Sequence, residues 1–189
     1  MTHAEMVRRA RNYLWAMEPL AGHARPSVIC TEVRASRSAE NPDVFGIGPD
    51  GISYLIECKV SRADFLGDRN KPHRTADLHL GSYRWFCAPS GIIQPHELPQ
   101  GWGLLQVVNK TLTQRIAPSQ QLDVDREAEL AILVAILRNV WKGGKVRGTG
   151  MRAYSRLKSA DRWVWETPLA PLLDENYPTF NGSVGVEEE

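Results

Sequence analysis

Cysteine is scarce in this chain of 189 residues: there are three, Cys30, Cys58 and Cys87. The number is odd, each lies in an apolar or strand-like run, and none stands at metal-ligand spacing from another. That argues against a disulfide framework and for reduced, packed thiols in a reducing compartment. Net charge is nearly absent as well, +1 from 23 Lys and Arg against 22 Asp and Glu. Overall charge therefore gives no reason to expect a polyanionic partner, and any nucleic-acid contact has to come from local clustering. No apolar run reaches about 18 residues, so no segment is expected to span a membrane. The amino-terminal stretch is polar and amphipathic, unlike a signal peptide, which points to a cytoplasmic protein. Internal repeats are missing too. What is there, 42% apolar and 24% charged residues, is the composition of an ordinary globular protein. The length suits one domain with an extension.

The first element is a helix. Thr2 and Glu5 have the spacing of a capping box, and Met6, Val7, Ala10, Tyr13, Leu14 and Met17 recur at three- and four-residue steps. Pro19 and Gly22 end it. Residues 27–35 read as a strand, with Val28, Cys30 and Glu32 on one face and Ile29, Thr31 and Val33 on the other. A polar link then leads to two short apolar runs, 43–48 and 52–60, around Pro49-Asp50-Gly51. This is the pattern of a hairpin. A turn centred on Asp50 sets Phe45 opposite Leu55 and Asp43 opposite Glu57, with directly opposed side chains on one face. Strands alternate with period two, so Lys59 shares that face with Glu57, while Tyr54, Ile56, Cys58 and Val60 form a core face.

Ser61 suits a helix cap, with Asp64 in the first turn where the helix dipole favours an acid; Asp68 reads as a surface acid. Residues 68–79 are basic and aperiodic. Their Arg69, Lys71 and Arg74, with His73 and His79, suit either a phosphate backbone or a solvated loop. Residues 83–88 read as a strand, and 103–108 with 112–116 as a hairpin around Asn109-Lys110. A strongly apolar helix follows, starting at Asp123 or Asp125. Its Leu130, Ile132, Leu133, Val134, Ile136, Leu137, Val140 and Trp141 cover more than one face. That calls for burial against the sheet or against a partner, a homodimer being the alternative to core. After Trp141 the chain is basic and interleaved with aromatics, including Lys145, Arg147, Arg152, Trp163 and Trp165. This is the composition of a strip that tracks phosphates and stacks on bases, or equally of a solvated surface. The domain division is thus 1–141, with 142–189 as an extension ending in three glutamates.

The hairpin carries the chemistry. Asp43 and Glu57 on one face supply the hard oxygens that Mg²⁺ takes, one or two carboxylates with waters completing the octahedron. The carbonyl of Cys58, between Glu57 and Lys59, is placed to add a third. Beside a bound metal and a phosphate, Lys59 could orient a water, help deprotonate it, or offset phosphate charge.

Pro42-Asp43, followed fourteen residues on by Glu57-Cys58-Lys59, resembles the signature of the PD-(D/E)XK nuclease superfamily. The order of elements, helix, strand, hairpin, helix, strand, agrees with it. The longer run over residues 57–69 resembles the MmcB-like DNA repair branch and related phage-borne proteins. That branch tends to carry Arg-Ala-Asp where this chain has Asn41-Pro42-Asp43. The resemblance spans roughly residues 27–116. It implies a restriction-endonuclease-like α/β/α core, in which helices flank a central mixed sheet, with the C-terminal extension outside it. It also implies Mg²⁺- or Mn²⁺-dependent cleavage of DNA, in repair or phage DNA metabolism. Asp43, Glu57 and Lys59 would be the catalytic residues, and Glu32 would correspond to an additional metal-site acid. Glu5 would match the helix-borne acid of some relatives, although the capping box accounts for it without metal. A different class of function on the same fold is a module that binds nucleic acid or protein without turnover.

Overall fold

The first helix forms where the periodicity places it: α1 spans His3–Ala16 and buries Met6, Val7, Ala10 and Leu14. Thr2 caps it by accepting the Glu5 N–H at 3.3 Å. The Glu5 side chain does something else than close a capping box, because its carboxylate is taken by Arg8 and Arg9, three and four residues on along the same face. The computed structural model describes residues 1–34, 40–68, 78–141 and 152–153 of the chain.

Among the described residues seven strands form one mixed sheet: β1 (Val28–Thr31), β2 (Val44–Ile47), β3 (Ser53–Cys58), β4 (Tyr83–Pro89), β5 (Gly103–Val108), β6 (Thr111–Ile116) and β7 (Arg152–Ala153). Their spatial order is β6-β5-β4-β3-β2-β1-β7. The central steps β3–β4 and β4–β5 are parallel, and the outer ones are antiparallel. Between β3 and β4 the chain crosses over through α2 (Arg62–Asp68), as a parallel pair requires. A further helix, α3, spans Arg126–Trp141. Asp125 caps it, accepting the Ala128 N–H at 2.9 Å.

Period-two alternation sorts the sheet into two faces. On one, Ile29, Val44, Tyr54, Ile56, Trp85 and Leu105 pack against the apolar side of α1. On the other, Phe45, Leu55, Phe86 and Leu104 pack against Phe65 of α2 and Ala128, Ile132 and Ile136 of α3. Helices on both faces of a mixed sheet make this an α/β/α fold. The apolar α3 therefore covers the sheet with one side, while Leu130, Val134 and Leu137 on another remain exposed.

The β2–β3 hairpin has the expected register, with Phe45 opposite Leu55 and Val44 opposite Ile56. Its turn is held by Asp50, which accepts N–H groups from Ala24 at 3.1 Å and Ile52 at 3.3 Å. The β5–β6 turn is Asn109-Lys110, both with positive φ (49° and 68°), as a two-residue primed turn demands. Close packing of strands also requires glycine at Gly103, where a Cβ would lie 2.5 Å from the Trp85 ring.

Two expectations need correction. The strand expected over 27–35 ends at Thr31, because Glu32 takes a left-handed backbone (φ 51°) that turns the chain out of the sheet. Val33 consequently packs with Cys30, not on the opposite face. Asp68, expected on the surface, is buried (2% exposed). The basic loop residues Arg69, Lys71, His73 and Arg74, with Lys145 and Arg147, lie outside the described residues. Arg152 is described by its backbone, which pairs with Ile29 on the edge of β1 and so joins this stretch of the extension to the sheet.

Candidate active site

Asp43 sits one residue ahead of β2, at the end of the ladder that runs on from Val44 and Ile56. Continuing that register by one step brings it opposite Glu57. Asp43 Oδ2 accepts the Cys58 N–H at 2.7 Å, and its Oδ1 lies 3.3 Å from His3 Nε2 at the start of α1. The Asp43 carbonyl accepts the Glu32 N–H at 3.1 Å. Burial pushes the Asp43 carboxyl above its ordinary pKa. The Cys58 N–H, His3 and Lys59 pull it down by less, and the neighbouring Glu32 adds to the rise.

Glu57 and Lys59 project from the end of β3 toward the layer of α2 and α3, in line with the alternation that puts Leu55 there. The Lys59 ammonium bonds Glu57 Oε2 at 3.2 Å and Asp68 Oδ1 at 3.1 Å. All three residues are buried, 4%, 3% and 2% exposed respectively. The Phe86 ring lies beside the ammonium, its centroid 5.9 Å away. Burial works against charge on Lys59, but Glu57 and Asp68 together outweigh it and raise the lysine pKa. The side chain is therefore a held cation at neutral pH, suited to offsetting negative charge and poorly suited to taking a proton.

The backbone supplies a further oxygen. In an antiparallel pair one residue's N–H and C=O point to the same neighbour. The Cys58 N–H points at Asp43, so the Cys58 carbonyl faces the same way, while the next N–H, that of Lys59, turns to β4 and the Cys87 carbonyl at 2.8 Å. Asp43, the Cys58 carbonyl and Glu57 are thus three oxygen donors carried by one end of the hairpin. Hard oxygens and a buried carboxyl whose pKa burial has raised fit a divalent cation such as Mg²⁺ or Mn²⁺, which would relieve that carboxyl's desolvation. Among the described residues no three His, Cys, Asp or Glu side chains are grouped to hold a metal by themselves. Protein side chains would accordingly supply only part of a coordination shell, the usual situation for Mg²⁺.

Of the residues singled out by pattern, Asp43, Glu57, Cys58 and Lys59 come together. Glu32 is close by, its Oε1 3.9 Å from His3 Nε2, but its left-handed backbone takes it off the strand's alternation and its side chain is largely open to solvent. Glu5 is engaged by Arg8 and Arg9. His79 is joined by its backbone to Asp123 and Asp125. Two residues escaped the pattern. His3 bears no periodic mark, and its position is set by the packing of α1 across β1–β3. Asp68 looked like one more polar residue at a helix end, and only its burial distinguishes it. A second buried pair joins Glu40 to Arg84, whose guanidinium stacks on Trp102.

No protein-family model and no curated protein matches the chain. Among solved structures it is similar to the SPO1766 protein of unknown function from Silicibacter pomeroyi, at 19% identity and a TM-score of 0.54. The likeness covers 75% of this chain and 88% of that one, and it concerns the fold alone.

Proposed function

We propose that the protein is a metal-dependent DNA nuclease of the PD-(D/E)XK kind, an endonuclease of DNA repair or phage DNA metabolism. The observation that carries this is the convergence at one hairpin end of Asp43, the Cys58 carbonyl and Glu57, with the charged Lys59 bonded to Glu57. A divalent cation there supplies charge for the scissile phosphate and a more acidic water. Asp43 and Glu57, with the Cys58 carbonyl, hold it, and Glu32 is the nearest further acid. Lys59 offsets charge that builds on the phosphate, because its raised pKa keeps it protonated. The basic residues Arg69, Lys71, Arg74, Lys145, Arg147 and Arg152 are the proposed contacts to the DNA backbone. The three free, buried cysteines suit a reducing, cytoplasmic setting. No helix among the described residues is long and apolar enough to cross a membrane.

A second reading is a module that binds nucleic acid or a protein without turnover. It is favoured by the fact that both carboxylates already have partners, Asp43 in Cys58 and His3, Glu57 in Lys59. One experiment separates the two. Plasmid, single-stranded and branched DNA are incubated with the protein in Mg²⁺ or Mn²⁺, beside the isosteric variants Asp43→Asn and Glu57→Gln. Cleavage by the wild type that both variants lose while still binding DNA is the expected result. A wild type that cuts none of these substrates, or variants that cut as well as it does, removes the catalytic reading.

A further inference from the structure

The lysine of the site has two carboxylates, and the second comes from a different element. Lys59 is almost wholly enclosed, so water does little to share its charge. The ammonium lies between Glu57 Oε2 at 3.2 Å and Asp68 Oδ1 at 3.1 Å. Asp68 is the last residue of α2 and is itself buried. Its carboxylate therefore reaches Lys59 from α2, while Glu57 reaches it from β3.

We propose that Asp68 is a positioning residue that sets the charge of the metal site: it draws the Lys59 ammonium toward α2, so that Glu57 keeps the negative charge a divalent cation needs. This rests on the nuclease reading and extends it to a residue beyond the signature. The physical basis is competition at short range. A buried ammonium close to one carboxylate cancels most of the field that carboxylate offers a cation. A second carboxylate at the same distance divides the attraction and restores that field. Asp68 touches neither metal nor phosphate in this scheme and acts only through Lys59. Its position depends on the helix that follows the signature strand, because α2 is anchored by Phe65 in the core and brings its last residue to Lys59.

The test is Mn²⁺ affinity of the full chain, read by electron paramagnetic resonance of the free ion without DNA. Thermal melts check that each variant is folded. Asp68→Asn leaves the ammonium to Glu57 and is expected to weaken Mn²⁺ binding about tenfold. An affinity within twofold of wild type overturns the proposal. The double variant Lys59→Met, Asp68→Asn removes both charges, and replacing both partners of a buried pair is gentler on the fold than removing one. Its affinity is expected within threefold of wild type, whether or not Asp68→Asn folds. A double variant that binds about tenfold tighter shows that Asp68 carried no share against Lys59 and overturns the proposal, as does one that binds tenfold weaker. If the wild type takes up no Mn²⁺, the nuclease reading falls and this inference with it. If the wild type binds Mn²⁺ and Asp68→Asn matches it, only the role of Asp68 falls.

Discussion

Asp43 is held in a place where its charge is costly. Burial dominates its raised pKa, and the Cys58 N–H and His3 offset only part of the penalty. A carboxyl whose folded pKa is raised contributes stability below its unfolded pKa, near 3.8, and loses it as pH rises through the folded value. Asp43→Asn, whose amide oxygen can still accept the Cys58 N–H, is therefore expected to raise the melting temperature at pH 7 in metal-free buffer. The advantage shrinks as pH is lowered toward 4. A melting temperature lower than wild type at pH 7 contradicts the account of that carboxyl. Lys59 has the opposite character. Its ammonium bonds two buried carboxylates, so truncating it alone takes a cation from both Glu57 and Asp68. Lys59→Met is expected to cost about 3–5 kcal/mol in urea unfolding at pH 7. A loss under about 1 kcal/mol would mean that the other neighbours of those carboxylates already compensate their charge. Sequence pattern was enough to single out Asp43, Glu57 and Lys59, since hairpin register and strand alternation are local. Asp68 and His3 were not legible, because an acid at a helix end and a histidine at a helix start gain meaning only from what packs over them.

At the scale of elements, α2 is the part that places Asp68, and its start is a simple one. Ser61 Oγ accepts the Asp64 N–H at 3.1 Å, and the Asp64 carboxylate accepts the Val60 N–H at 3.2 Å. Ser61→Ala should destabilise the protein by about 1 kcal/mol in urea unfolding; an unchanged midpoint would mean that the first turn of α2 does not depend on this cap. The turns of both hairpins were readable because they rest on backbone chemistry: Gly51 with φ 76°, and Asn109-Lys110 in the left-handed region. Strand ends were less readable. Nothing in residues 31–33 announces that Glu32 takes a left-handed backbone, and the apolar pattern runs on to residue 35 although β1 ends at Thr31. The α3 helix shows the same limit. Its apolar residues outnumber what one sheet face needs, and composition alone does not say which of them point inward.

Across the whole molecule, the three cysteines give a simple measurement. Cys30 is enclosed and burial pushes its thiol up to about 12. Cys58 and Cys87 lie side by side in the parallel β3–β4 register, both buried, with the Cys58 thiol also raised, first by burial. Thiolates are the reactive species, so a disulfide reagent should label none of the three in the native protein at pH 8 and all of them after denaturation. Rapid labelling of any thiol in the native state would show that the sheet opens. The sequence by itself determined the order of elements, the two hairpins and the register that leads to Asp43 and Glu57, because each depends on periodicity, turn residues and neighbours close along the chain; the α/β/α class was only implied by the family resemblance. Tertiary structure alone decided that Asp68 closes over Lys59, that His3 reaches Asp43 and that Glu40 meets Arg84. The His3–Asp43 and Glu40–Arg84 contacts join residues far apart in sequence, and Lys59–Asp68 joins a strand end to the end of the next helix. The burial around the Lys59 and Arg84 pairs exists only once the helices have packed onto the sheet.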